Sequence, residues 1–260
     1  MQNQKLRLDK IIADSGLYTR SDAKALIRAG RVIVDGSEAR DGGLKLDPDT
    51  AAITIDGMPV SYKEYRYIML NKPADYVSAT DDRNEATVME LLDDKYAKLG
   101  VFPVGRLDKD CEGLLLLTND GTFAHKVTSP GSKVYKRYFV KIDGTINAHD
   151  VEAFKRGMAL GDGTKCRPAL LEECLDIDAE GNDICGHDVC GRGATGCAYV
   201  TICEGKYHQV KRMLAALGKP VVYLKRVAIG GLTLDAGLSP GGYRELCVTG
   251  DELLAVIYSK

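Results

Sequence analysis

The chain has 260 residues, 45% of them hydrophobic and 28% charged, with a formal net charge of -2. That balance excludes a disordered chain and a uniformly basic, nucleic-acid-coating surface, and no window reaches the ~18 uninterrupted apolar residues of a membrane helix. The opening "MQNQKLRLDK" lacks the apolar core of a signal peptide, so the cytoplasm is the expected location.

Leu8, Ile11 and Ile12 recur at helical spacing, and Gly16 stops that helix. Thr19 and Asp22 match a capping box for a second helix ending at Gly30. "RVIVDG" and "AAITIDG" read as short strands with Asp-Gly turns. Residues 1–61 therefore form a small α+β module, and a hinge follows near "PVSYKEY". In residues 62–260, "YRYIMLNKP" is a strand ended by Pro73, and "TVMELLDDKYAKLG" is an amphipathic helix closed by Gly100. "KVYKRYFVKIDG" is a strand that places Val134, Lys136, Tyr138 and Val140 on one face. "HDVEAFKRGMAL" reads as a helix. "CAYVTICEG" is a strand leading into the helix "KYHQVKRMLAALG", which buries Val210, Met213, Leu214 and Leu217. His208, Lys211 and Arg212 share an adjacent face. With no regular βαβ alternation, the second unit is α+β with a largely antiparallel sheet.

Two basic stretches stand out: five Lys/Arg and no acid from His125 to Lys141, and six and no acid from Lys206 to Arg226. Such local patches suit an anionic polymer better than the net charge suggests. The eight cysteines read as reduced thiols. Cys185, Cys190 and Cys197, with His187, lack the two-residue gap of a zinc knuckle, so the Gly-rich stretch 175–197 reads as a solvated insertion.

The segment "GRLDKDCEGLLLLTNDG" sets Asp108 and Asp110 among Arg106 and Lys109, ahead of four leucines and a turn. A carboxylate held by fixed cations stays ionised and can attack an electron-poor carbon or take a proton. The bland alternative is a surface ion pair, and a second is the Asp-x-Asp loop of haloacid-dehalogenase-like phosphotransferases, which would require Mg²⁺. The latter loop follows a buried strand, whereas here Pro103, Gly105 and Arg106 interrupt the preceding segment.

The same segment closely resembles the catalytic segment of the RsuA-like pseudouridine synthases. "MLNKPADYVSATDD", "VTSPGSKVYKRYFV", "EGKYHQVKRMLAALG" and "IGGLTLDAGLSPGGYREL" resemble that family in the same order. "LRLDKIIADSGLYTRSDAKALIRAGRVIVDG" resembles an S4-type RNA-binding domain. The resemblance implies isomerisation of a uridine in ribosomal RNA without metal or cofactor, with the target base flipped out of its stack, and a monomer is the simplest expectation. It implies that Asp108 is the nucleophile, that Tyr138 packs on the base and assists proton removal, and that Lys211 pairs with Asp108, leaving Asp110 as a turn or capping residue. Arg106 and Leu107 complete the loop, and His208 and Arg212 are further substrate contacts. Arg7, Lys10, Arg20, Lys24, Arg28 and Arg31 are candidate RNA contacts of the S4-type module. "YHQVKRM" points to 16S rRNA uridine 516, with large-subunit uridines as the alternative. A non-catalytic RNA-binding assembly factor would need the module and patches but not Asp108, Tyr138 and Lys211. Asp75 stands where the family often has Gly, a position expected to take a positive φ.

Overall fold

A computed structural model describes residues 5–174 and 194–259, and its contacts divide the chain into two compact units, Met1–Arg66 with Leu92–Val101 and Tyr67–Leu91 with Phe102–Lys260. In the first unit, helices α1 (Leu8–Asp14) and α2 (Arg20–Arg28) bury Leu8, Ile11, Ile12, Ala23 and Ile27 against Val32, Ile53 and Ile55. Thr19 and Asp22 form the expected reciprocal capping box. Strands β1 (Val32–Val34) and β2 (Ile53–Ile55) pair antiparallel at the centre of a four-stranded sheet. Asp35-Gly36 and Asp56-Gly57 all take positive φ, as the tight I′ hairpin turn requires.

The helix expected across "TVMELLDDKYAKLG" is instead two pieces, a 3₁₀ turn at Val88–Leu91 and α3 (Asp94–Lys98). Asp93 breaks it with an extended ψ of 142°, in keeping with the preference of aspartate for caps over helix interiors.

The second unit is built on a sheet with nine strands among the described residues. Its main path uses β3 (Tyr67–Lys72), β4 (Glu112–Thr118), β5 (Lys136–Ile142), β6 (Leu170–Glu173), β7 (Gly196–Ile202), β8 (Val221–Ile229) and β9 (Tyr243–Glu245). Their order is β6-β7-β5-β8-β4-β3-β9. Every ladder is antiparallel except β8–β4, where Lys225 faces Glu112 and Arg226 faces Gly113. Leu114 to Leu117 are fully enclosed in β4, as the run of four leucines predicts.

The Thr-Asn-Asp-Gly segment does more than turn the chain. Asp120 accepts from Phe123 N–H at 2.9 Å and so caps α4 (Gly121–Thr128), a helix the sequence reading left out. Helix α5 (Ala148–Arg156) follows β5, and α6 (Gln209–Ala216) follows β7. The terminal helix α7 (Gly250–Tyr258) packs Leu253 and Ile257 with Phe123 and Val127 over Met69, Leu114 and Leu116.

Candidate active site

The loop that carries Asp108 enters β4, and three devices fix it. Ser78 Oγ donates to Leu107 O at 3.0 Å and accepts from Leu107 N–H at 3.1 Å. Asp75 N–H donates to Lys109 O at 2.9 Å, with Asp75 at φ 70° as expected of aspartate in a glycine's place. Lys72, fully buried at the end of β3, donates to the carbonyls of Pro73, Lys109 and Cys111 at 2.9, 3.0 and 2.8 Å. A buried ammonium ringed by carbonyls is costly to desolvate and correspondingly rigid once satisfied. Burial pushes Lys72 down from its ordinary range, against the pull of Cys111, Asp110, Glu112 and Asp108.

Above this loop opens a cleft of about 850 Å³ lined by Arg106, Asp108, Tyr138, Tyr207, His208 and Leu224, among others. Arg106 is exposed at its edge, whereas Leu107 is buried beneath it. Tyr138 comes from β5 and is 8% exposed. Burial pushes its hydroxyl up, and Arg226 draws it back. Cys111, also buried, is pushed to about 12 and is no nucleophile at neutral pH.

Lys211 crosses 101 residues of sequence to reach the loop. Its ammonium donates to both oxygens of Asp110, at 2.5 and 2.6 Å, and stands 3.9 Å from Asp108 Oδ2. Asp110 is therefore not merely a turn residue but the nearer anchor of Lys211. Burial alone would raise Asp110, but the Lys211 hydrogen bond and charge win and hold it below the usual carboxylate range. Asp108 keeps an ion-pair contact with Lys211 while its oxygens remain free of that hydrogen bond. His208 Nε2 lies 3.6 Å from the other oxygen, Oδ1.

His208 enters α6 at φ 47°, a left-handed conformation rare for a non-glycine residue. Its ring stacks on Tyr207 with centroids 3.9 Å apart, and Tyr207 is 76% exposed at the mouth of the cleft. An exposed stacked aromatic pair beside a carboxylate suits an unstacked nucleobase. Arg212 is occupied elsewhere: it pairs with Asp162 at 2.6 Å and donates to Tyr207 O at 3.4 Å. Backbone and side-chain bonds from Thr164, then Arg212, lower Asp162 to about 2.

In the first unit the candidate cations divide. Arg7 and Arg20 both reach the buried Asp9, Lys10 pairs with Asp14, and Arg31 pairs with Asp56. Arg20, though it also reaches Asp9, recurs with Lys24 and Arg28 at i, i+4 and i+8 on the exposed face of α2, and the three form a basic stripe. Cys185, Cys190 and His187 lie outside the described residues, as do 175–193 of the Gly-rich stretch, and Cys197 is buried in β7. Among the described residues no group of three His, Cys, Asp or Glu could hold a metal.

Sequence reasoning assigned no role to Lys72, nor to Arg226, which is 4% exposed beneath the cleft. The only hint was a cation at an inward position of a strand in "MLNKP" and "YLKRVAIGG".

The RNA pseudouridylate synthase family model matches residues 66–216, and the S4 domain model matches residues 6–50. The chain is 44% identical over 241 residues to the uncharacterized RNA pseudouridine synthase YtzG of Bacillus subtilis, covering 93% of this chain and 95% of that one. It is 39% identical over 254 residues to the ribosomal small subunit pseudouridine synthase A of Escherichia coli, covering 97% and 100%. A crystal structure of a pseudouridylate synthase superposes with a TM-score of 0.61 at 36% identity, covering 96% of this chain and 99% of that one.

Proposed function

The chain belongs to the RsuA-like RNA pseudouridine synthases that carry an S4 domain, and from that premise we propose that it isomerises one uridine of small-subunit ribosomal RNA, uridine 516 of 16S rRNA. The near full-length likeness to an enzyme named for the small ribosomal subunit carries this reading.

In this reading Asp108 is the nucleophile. The cleft leaves its carboxylate one-third exposed, within ion-pair distance of Lys211 but not hydrogen-bonded to it. Tyr138 and Leu224 line the cleft and would pack on the flipped uracil. Tyr207 and His208 would meet bases beside the target, with Arg106 at the entrance. Residues 1–61 would act as the RNA-anchoring domain and 62–260 as the catalytic one. The Arg20–Lys24–Arg28 stripe would contact phosphates, which position the RNA rather than read its sequence. The enzyme would work as a cytoplasmic monomer, and none of its described helices is long and apolar enough to cross a membrane.

The test is to incubate the protein with unmodified small-subunit rRNA in the absence of divalent metal and to map pseudouridine by chemical modification and primer extension. One new pseudouridine, absent with Asp108→Asn, is expected. RNA binding without any pseudouridine on small-subunit rRNA would refute the reading.

A further inference from the structure

Beneath the cleft a β-bulge re-aims two side chains. Along β5 and β8 the pairing runs Arg137 to Ala228 and then Tyr138 to Arg226, so Val227 is the extra residue. Past the bulge Tyr138 and Arg226 are directly opposite partners on one face, a separation at which cross-strand side chains touch. The Arg226 guanidinium is 4% exposed and is tethered by Nε to Leu114 O at 2.8 Å, while its Nη2 has no hydrogen-bond partner. A buried cation is ordinarily paired, and a buried donor ordinarily satisfied. An arginine with no carboxylate partner among the described residues and a buried Nη2 left over, set against an active-site tyrosine, is held ready for a negative charge that is absent in the resting enzyme.

We propose that Arg226 is a positioning residue for pseudouridine formation: it holds Tyr138 from beneath and supplies the counter-charge to the phenolate that removes the C5 proton of the turned uracil. The inference rests on Tyr138 acting as that base. Tyr138 first yields its hydroxyl proton to water, which leaves a phenolate beside Arg226; once C5 is joined to the ribose, the C5–H bond breaks and its proton passes to that phenolate oxygen. The freed electron pair becomes the C5–C6 double bond, and the C6–N1 double-bond pair moves to N1, which takes a proton from water. Atoms balance, and no oxidant or co-reactant is needed. Arg226 from β8, with Cys111 and Asp108 from the catalytic loop, are the charged and titratable groups that act on the Tyr138 hydroxyl. Arg226 alone among them is a cation, so it alone favours the phenolate.

The experiment uses the full-length protein and rRNA transcripts of both subunits carrying hydrogen or deuterium at uridine C5. Arg226→Gln is expected to lower kcat on the order of 10²-fold with little change in KM. It should also raise the deuterium isotope effect above wild type and displace the alkaline rise of the rate to higher pH. Arg226→Lys, which keeps the charge and serves should the Gln variant fail to fold, should recover part of kcat. A fall in kcat with no change in isotope effect or pH profile, or an unchanged kcat, would overturn the role of Arg226. Tyr138→Phe separates the two readings: full activity in that variant removes Tyr138 as the base, whereas loss there with an unaffected Arg226→Gln removes Arg226 alone.

Discussion

Replacing Gly113 by alanine strains the seam that joins the two halves of the site. Gly113 lies in β4 just after the Asp108 loop, at φ 100°. It faces Arg226 across the parallel ladder between β8 and β4. An added Cβ would fall on Arg226 O, inside any real contact distance, and within 2.8 and 2.9 Å of Lys225 Cγ and Arg226 N. The φ itself costs a non-glycine residue about 1–3 kcal/mol. Forcing the strands apart costs about 1–3 kcal/mol more, since the clash is with backbone rather than a movable side-chain tip. A loss of about 2–6 kcal/mol lowers the melting temperature by about 4–24 °C in a unit of this size. Because the Asp108 loop runs directly into β4 and β8 carries Leu224 and Arg226, a shift of about 1 Å also costs about 10²-fold in turnover. Scanning calorimetry and a pseudouridine-formation rate on rRNA measure both. A variant that melts within about 2 °C of wild type and keeps its rate would refute the argument that close approach here demands glycine.

Three further outcomes follow from the same geometry. Lys72→Met deletes three carbonyl partners but also a buried charge, so a net loss of about 2–4 kcal/mol is expected by urea denaturation, together with faster amide exchange of residues 108–111. Unchanged exchange there would show that Lys72 does not hold the loop. Lys211→Ala should reduce turnover on the order of 10²-fold, because Coulomb attraction of about 4 kcal/mol at 3.9 Å is only partly screened, and Lys211→Arg should restore much of it in single-turnover assays. The Asp162 carboxylate is lowered from 3.8 to about 2, so its pairing contributes stability that is complete above 3.8 and vanishes as the pH falls through about 2. The melting difference between wild type and Asp162→Asn should therefore be flat from pH 8 to 5 and close toward pH 2, and a difference that grew on acidification would contradict the assignment.

Much of this was legible in the sequence because local patterns and local physics agree there. Thr19 and Asp22 announced the α2 cap, the leucine run announced β4, and Asp75 announced a left-handed turn. Asp108, Tyr138 and His208 were named before the structure brought them to one cleft. What escaped were relations fixed by non-local packing. Lys211 was read as the partner of Asp108 and stands within ion-pair distance of it, but its shorter bonds to Asp110, set by how α6 sits against the loop, were not legible in the sequence. Lys72 and Arg226 look like ordinary strand cations in the sequence, and only burial against carbonyls or beneath Tyr138 marks them out. The helix break at Asp93 was missed because apolar spacing continues across it, while consecutive aspartates favour a cap.

Which RNA receives the pseudouridine tests the small-subunit assignment most directly. Equimolar unmodified 16S and 23S rRNA, offered together to the full-length protein and mapped at nucleotide resolution, should show one new pseudouridine at uridine 516 of 16S rRNA and none in 23S rRNA. Pseudouridine confined to 23S rRNA would contradict the small-subunit assignment, and the same product formed by Asp108→Asn would contradict the place given to Asp108.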